Sequence, residues 1–164
     1  MPPPLRAAAA FGLAYRPMTD DDLPFVAALY ASTRAEEVAA TGWPPEIQSA
    51  FLTQQHEAQH RHYRTHYPDG EWLIVERSGE PIGRLYIEEW ERQLRVIDIS
   101  LTMGARGRGI GRAILEDVID DARSRGKPVS IHVEKNNPAR HLYDRLGFRF
   151  VEDKGVYDLL EWNG

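Results

Sequence analysis

The run Arg106-Gly107-Arg108-Gly109-Ile110-Gly111 limits what this chain can fold into more than any other stretch. Before it lies 94–103, an apolar segment with strand alternation; after it, Ile110, Ile114, Leu115, Val118, Ile119 and Ala122 recur at helical spacing. A strand feeding a helix through glycines gathers backbone N–H groups at the positive helix end, where an anion binds. Glycine lets the backbone approach that anion closely, and Arg106, Arg108 and Arg112 add charge that can pair with phosphate. Spacing removes two common readings. No Lys-Ser/Thr pair follows as an ATP loop requires, and Arg112 stands at the third glycine position of a dinucleotide fingerprint counted from Gly107. A solvated glycine loop stays open as the plain alternative.

Periodicity places the rest. A strand is expected over 12–17, then Thr19-Asp20-Asp21-Asp22 opens a helix with Phe25, Val26, Leu29 and Tyr30 inward. After Gly42-Trp43-Pro44-Pro45 a polar helix runs to about His66. Segments 72–77 and 82–90 read as a hairpin, 129–133 as a strand, 138–146 as a helix stopped at Gly147, and 148–152 and 156–162 as closing strands. This order predicts one α+β domain over 12–164 behind a disordered tail, 1–11.

Composition narrows the function. A formal charge of -5 argues against a protein that grips nucleic acid by broad phosphate neutralisation. With no cysteine there is no disulfide, thiolate metal site or cysteine acyl-enzyme, which fits a cytoplasmic protein. The prolines and short alanine run at the start make a poor signal peptide, and nothing approaches the roughly 18 apolar residues of a membrane span.

The glycine turn resembles the signature of the GNAT superfamily of N-acetyltransferases, Arg/Gln-x-x-Gly-x-Gly/Ala, at Arg106, Gly109 and Gly111. Downstream, Asn136-Asn137-Pro138-Ala139-Arg140-His141-Leu142-Tyr143-Asp144-Arg145-Leu146-Gly147-Phe148 is similar to the family's N-x-x-A-x-x-L-Y-x-x-L-G-F. The likeness covers roughly 82–162, with only the general layout shared before it. It implies a mixed, mainly antiparallel sheet splayed between the fourth and fifth strands and flanked by helices. It implies acetyl-CoA as co-substrate, with Ile99 and Leu101 offering backbone groups to the pantetheine arm. Arg106, Gly107, Arg108, Gly109, Ile110, Gly111 and Arg112 would hold the pyrophosphate, and Asn136 and Asn137 are further ligands or helix caps. Thr102-Met103-Gly104-Ala105 departs from the proline-containing turn of many members.

Amide formation from a thioester needs a neutral amine, a stabilised oxyanion and a proton for the thiolate. Without cysteine the expected route is direct attack in a ternary complex. Tyr143 occupies the position of the family's proton-donating tyrosine; a core tyrosine is the plain reading. For the base, Asp98 stands first and Glu88 second, since alternation gives Arg84, Tyr86 and Glu88 one face and Asp98 and Ser100 another polar one. Arg95 holds the family's commoner glutamate position, and an ion pair of Asp98 with Arg84 or Arg95 is the competing reading. His56, His60, His62 and His66 form two i,i+4 pairs but show no third ligand, so no metal is expected. Trp43, Trp72 and Trp90 are read as packing.

The expected activity is N-acetyl transfer from acetyl-CoA to a primary amine on a small molecule or peptide. A non-catalytic acyl-CoA sensor is the alternative. Neither nucleic acid nor membrane is an expected partner, and monomer and homodimer both remain open.

Overall fold

The alternating segments become seven strands in a computed structural model that describes residues 1–164. They are β1 (Leu13–Pro17), β2 (Glu71–Arg77), β3 (Glu80–Glu89), β4 (Leu94–Leu101), β5 (Val129–Glu134), β6 (Arg149–Asp153) and β7 (Tyr157–Trp162). Four helices accompany them: α1 (Leu23–Ala39), α2 (Pro45–His66), α3 (Ile110–Ser124) and α4 (Arg140–Leu146). The strands form a single sheet in the order β1-β2-β3-β4-β5-β7-β6. Every neighbouring pair is antiparallel except β4 with β5. The fold is α+β and mixed, with the parallel pair at its centre.

Each face of the sheet is dictated by its side chains. Leu73, Val75, Leu85, Ile87, Val96, Val129 and Ile131 share a core with α3, whose Ile110, Ile114, Leu115, Val118 and Ala122 are all buried. Burying such side chains contributes roughly 1.5–3 kcal/mol each, which holds α3, and with it the glycine turn, firmly on the sheet. The opposite face is partly polar, carrying Arg84, Glu88, Arg95 and Ser130, and α1 and α2 cover part of it. No helix of the chain is long and apolar enough to cross a membrane.

The segment expected as a disordered tail is built into the fold. Its residues Ala8–Phe11 form a 3-10 turn, Ala8 is fully buried, and Asp117 of α3 accepts the N–H groups of Arg6, Ala7 and Ala8 at 3.0, 2.8 and 2.9 Å. A weakly apolar sequence gives no hint of this, because the ordering comes from one buried carboxylate about 110 residues away.

Two irregularities in β4 shape the centre. Tyr86 pairs with Asp98 but the next residue, Ile87, pairs with Val96, so Ile97 is an extra residue in a β-bulge. The ladder to β5 runs only from Leu94↔Val129 to Val96↔Ile131 and then stops. Beyond Val96 the two parallel strands diverge while β4 stays paired with β3 out to Gly83↔Leu101.

Candidate active site

The divergence leaves a wedge whose β4 edge has no ladder partner from Ile97 to Leu101. Backbone polar groups on such an edge demand another partner, which water or an extended ligand can supply. Ile99 and Leu101 pair with Leu85 and Gly83 on the β3 side, and their side chains pack on the core. The wedge therefore has a rigid apolar backing.

At its end the chain makes a 3-10 turn, Met103–Ala105, and enters the glycine run. Gly107 and Gly109 have φ of +72° and +84°, a left-handed conformation that other residues adopt at a cost of roughly 1–2 kcal/mol, so glycine is required there by the backbone. Gly111 lies within the first turn of α3, where a methyl group would meet only Leu101 Cδ1 at an ordinary 3.7 Å. Ile110 is buried in the core and anchors the turn from below.

The three arginines are not equivalent. Arg106 donates from Nε to the Leu101 carbonyl at 2.9 Å and from Nη2 to Ser32 Oγ at 3.0 Å, stitching the end of β4 to α1. Arg112 pairs with Glu116 one turn on. Arg108 is exposed, has no protein partner and is the guanidinium free to meet an anion. Of the two asparagines, Asn137 accepts the Ala139 N–H at 2.9 Å and caps the approach to α4, while Asn136 has no side-chain partner.

Tyr143 projects from α4. That helix ends at Gly147, where the Phe148 N–H returns to the Tyr143 carbonyl at 3.0 Å and the Phe148 ring packs edge-on against Tyr143 at 5.6 Å. The Leu-Gly-Phe stop thus fixes the Tyr143 ring. The residue is 4% exposed. Its hydroxyl has no hydrogen-bond partner, yet unlike Tyr15 OH, Arg140 Nε and Asp158 Oδ1, which are both unpartnered and sealed, it reaches solvent. Burial pushes the phenol above its ordinary value, and the charge of Asp98 adds to the shift. The group is protonated at neutral pH and can donate.

Asp98 sits across the wedge in a network that the sequence suggested only in part. Its carboxylate accepts Tyr63 OH at 2.8 Å, Arg84 Nη2 at 3.0 Å, Arg84 Nε at 3.4 Å and Ser100 Oγ at 2.7 Å. Four donors occupy the roughly four lone-pair positions of a carboxylate. The pairing with Arg84 is the alternative weighed beside a base. Glu88 accepts Trp90 Nε1 at 2.6 Å and the Asp69 N–H at 3.2 Å and is itself buried. Both carboxylates are positioned by the protein's own donors.

Sequence reasoning named Tyr30 and His56 without placing them here, and it missed Arg34, Gln59 and Tyr63, which α1 and α2 bring to the sheet. Tyr63 and Gln59 reach Asp98 and Arg84, the latter pair at 2.9 Å. Arg34 of α1 forms a bidentate pair with Glu134 at the end of β5, and Tyr30 lies beneath the guanidinium at 5.7 Å. His56 is buried beside Tyr30 at 5.6 Å between ring centroids, and burial followed by the Arg84 charge lowers its proton affinity. Helical periodicity showed that α2 is polar without showing which polar side meets the sheet. His62 and His66 stack at 4.0 Å, and no group of three or more potential ligands is placed to hold a metal ion.

A parallel strand pair that diverges ahead of a left-handed glycine turn, with the unpartnered Arg108 on that turn, marks the centre of this α+β protein. The chain belongs to the acetyltransferase (GNAT) family, whose pattern matches residues 35–148. It is 41% identical over 72 residues to streptothricin acetyltransferase of Streptomyces lavendulae, covering 42% of this chain and 38% of that protein. It is 29% identical over 122 residues to mycothiol acetyltransferase of Corynebacterium glutamicum, covering 73% and 41%. The chain thus spans about two fifths of the length of these curated relatives. Among solved structures, the PaiA N-acetyltransferase of Thermoplasma acidophilum in complex with coenzyme A superposes with a TM-score of 0.66 at 13% identity, covering 93% of this chain and 99% of that one. A GNAT family acetyltransferase of Elizabethkingia anophelis with acetyl-CoA bound gives 0.58 at 18% identity, covering 93% and 99%. These two establish likeness of fold.

Proposed function

We propose that the protein transfers the acetyl group of acetyl-CoA to a primary amine by direct attack in a ternary complex. The observation that carries this reading is the unpaired β4 edge running from Ile97 into the glycine turn. A pantetheine arm has amides to pair with that edge, and its pyrophosphate would meet the N–H groups at the start of α3 together with Arg108. The residues present suit such a donor, and Arg106 serves it by holding the end of β4 against α1. The coenzyme A and acetyl-CoA complexes of the two structural neighbours support the same donor.

In the reaction the amine nitrogen bonds to the thioester carbonyl carbon and the carbon–sulfur bond breaks. Tyr143 gives its phenolic proton to the departing thiolate. Asp98, held by Arg84, Tyr63 and Ser100, sets a negative charge beside the amine and favours the cationic nitrogen that forms on attack. The nitrogen's proton leaves through water in the groove, because the Asp98 lone pairs are already engaged.

The test is release of free thiol from acetyl-CoA across an amine panel, with wild type and Tyr143→Phe. Turnover with sequential kinetics is expected. Tight donor binding with no thiol release from any amine would identify a non-catalytic acyl-CoA-binding module instead.

A further inference from the structure

The geometry points to Arg95 as a receptor for a carboxylate carried by the amine acceptor. This rests on the acetyl-transfer reading and names its acceptor class: an amine with an acid group a few bonds away.

Arg95 is 7% exposed and has no carboxylate within 4.0 Å, unlike the other buried arginine, Arg84, which pairs with Asp98. Its hydrogen bonds go to neutral groups: Nε to Ser130 Oγ at 2.8 Å, and Nη1 to Tyr67 OH and His132 Nδ1, each at 3.3 Å. The guanidinium stacks over Trp90 at 4.8 Å, and Tyr67 stacks on the same indole with an interplanar angle of 12°. A buried cation with only neutral partners is expensive unless something else compensates it. The carboxylate across the strand pair, Glu88, directs its two oxygens to Trp90 Nε1 and the Asp69 N–H.

The cluster has unused donors. Arg95 Nη2 has no partner and is not sealed from solvent. Tyr67 accepts from Arg95, which leaves its own hydroxyl hydrogen to give. Guanidinium and phenol together present two donors to one anion, with Trp90 and Ser130 holding the guanidinium in place.

Position joins this receptor to the reaction. The bulge at Ile97 resets the alternation of β4, so Arg95 and Asp98, three residues apart, face the same side, Asp98 meeting Tyr63 of α2 and Arg95 meeting Tyr67 just past its end. The wedge opens between them, just past Val96. Their β3 partners, Glu88 and Tyr86, are two residues apart, so Arg95 and Asp98 are separated by about 7 Å along the sheet, and an acceptor can place its amine at the wedge while its acid meets Arg95. The charge calls for a monoanion. His132 has its proton affinity lowered by burial, then by Arg95 and Lys154, and Lys154 already pairs with Glu152 at 3.0 Å. With Glu88 on β3 and Glu161 opposite Ser130 on β7, a phosphate dianion would lack a second cation.

The test compares glycine, β-alanine, γ-aminobutyrate and phenylalanine with their carboxamides as acceptors, using wild type, Arg95→Met, Arg95→Lys and Tyr67→Phe. Wild type is expected to favour the acids by about tenfold to a hundredfold in kcat/KM. Arg95→Met should abolish that preference while its turnover of the carboxamides and its affinity for coenzyme A stay near wild type, and Arg95→Lys should restore part of it. Tyr67→Phe keeps the stacked ring and should lower the preference severalfold. Calorimetry with the N-acetylated acids and N-acetylated carboxamides reads the same difference without turnover, so it separates failure of this proposal from failure of the transferase reading. Equal use and equal binding of acids and carboxamides by wild type would overturn the proposal. So would tighter binding of the matched phosphonates, or a loss in Arg95→Met and Tyr67→Phe that falls equally on both members of each pair.

Discussion

Asp117→Ala tests how the amino-terminal segment is held. Asp117 is 1% exposed on α3 and accepts three consecutive backbone N–H groups, from Arg6, Ala7 and Ala8, within 2.8–3.0 Å. Hydrogen bonds to a charged group contribute roughly 1.5–3 kcal/mol each, a gross of about 5–9 kcal/mol. The net loss is smaller, because the segment can peel away and give its N–H groups to water. It then forfeits only its packing, chiefly Ala8 and the half-buried Phe11. We expect about 2–4 kcal/mol by urea denaturation, with Asp117→Asn intermediate because an amide retains one acceptor oxygen. Hydrogen exchange locates the effect: the amides of residues 6–8 should lose protection while those in the middle of α3 keep theirs. Phe11 Cζ lies 3.6 Å from where a Gly109 side chain would begin, so release should also weaken coenzyme A binding a fewfold. A loss below about 1 kcal/mol together with unchanged protection at residues 6–8 would refute the reasoning.

Gly109→Asp should weaken coenzyme A binding at least about tenfold by calorimetry, because it sets a negative charge at the start of α3 and strains a φ of +84°; unchanged affinity would remove the phosphate site. Tyr143→Phe should lower kcat by about a hundredfold or more with stability within about 0.5 kcal/mol, since the hydroxyl has no partner in the protein to orphan; undiminished turnover would assign Tyr143 to packing alone. Arg84→Met strands Asp98 and should destabilise by about 3–5 kcal/mol, while adding Asp98→Leu should recover most of the loss; a double variant as unstable as the single one contradicts the pairing. The Arg16 pair, with help from the Thr19 N–H, lowers the Asp22 carboxyl to about 2. A depressed folded value gives stability that is present above about pH 4 and lost as pH falls toward about 2, worth about 1 kcal/mol once solvent screening of Arg16 is allowed for. Asp22→Asn should therefore flatten the acid limb of the stability curve in that window, and an identical limb would contradict the assignment.

Much of the local structure around the glycine turn was legible in the sequence. A helix needs an apolar face and a stop, and 110–122 with Gly126 supplied both; α4 likewise ended at Gly147, where φ is +97°. The positive φ values of Gly107 and Gly109 follow the same logic, since the turn uses glycine where other residues are strained. The ordered segment at Ala8–Phe11 escaped because its order is lent by Asp117.

The sequence by itself determined the elements, their order and the glycine turn, because these depend on local periodicity and on residues adjacent in the chain. Tertiary structure decided the surroundings of Arg95 and Asp98. Simple alternation places Arg95 and Asp98 on opposite faces of β4, and only the extra residue at Ile97 turns both toward the side where α2 ends. No periodic pattern marks such a bulge, since it arises where β4 must pair with β3 on one edge and part from β5 on the other. The partners that then hold the two side chains, Tyr63 for Asp98 and Tyr67 for Arg95, lie 35 and 28 residues away, and folding alone selects them.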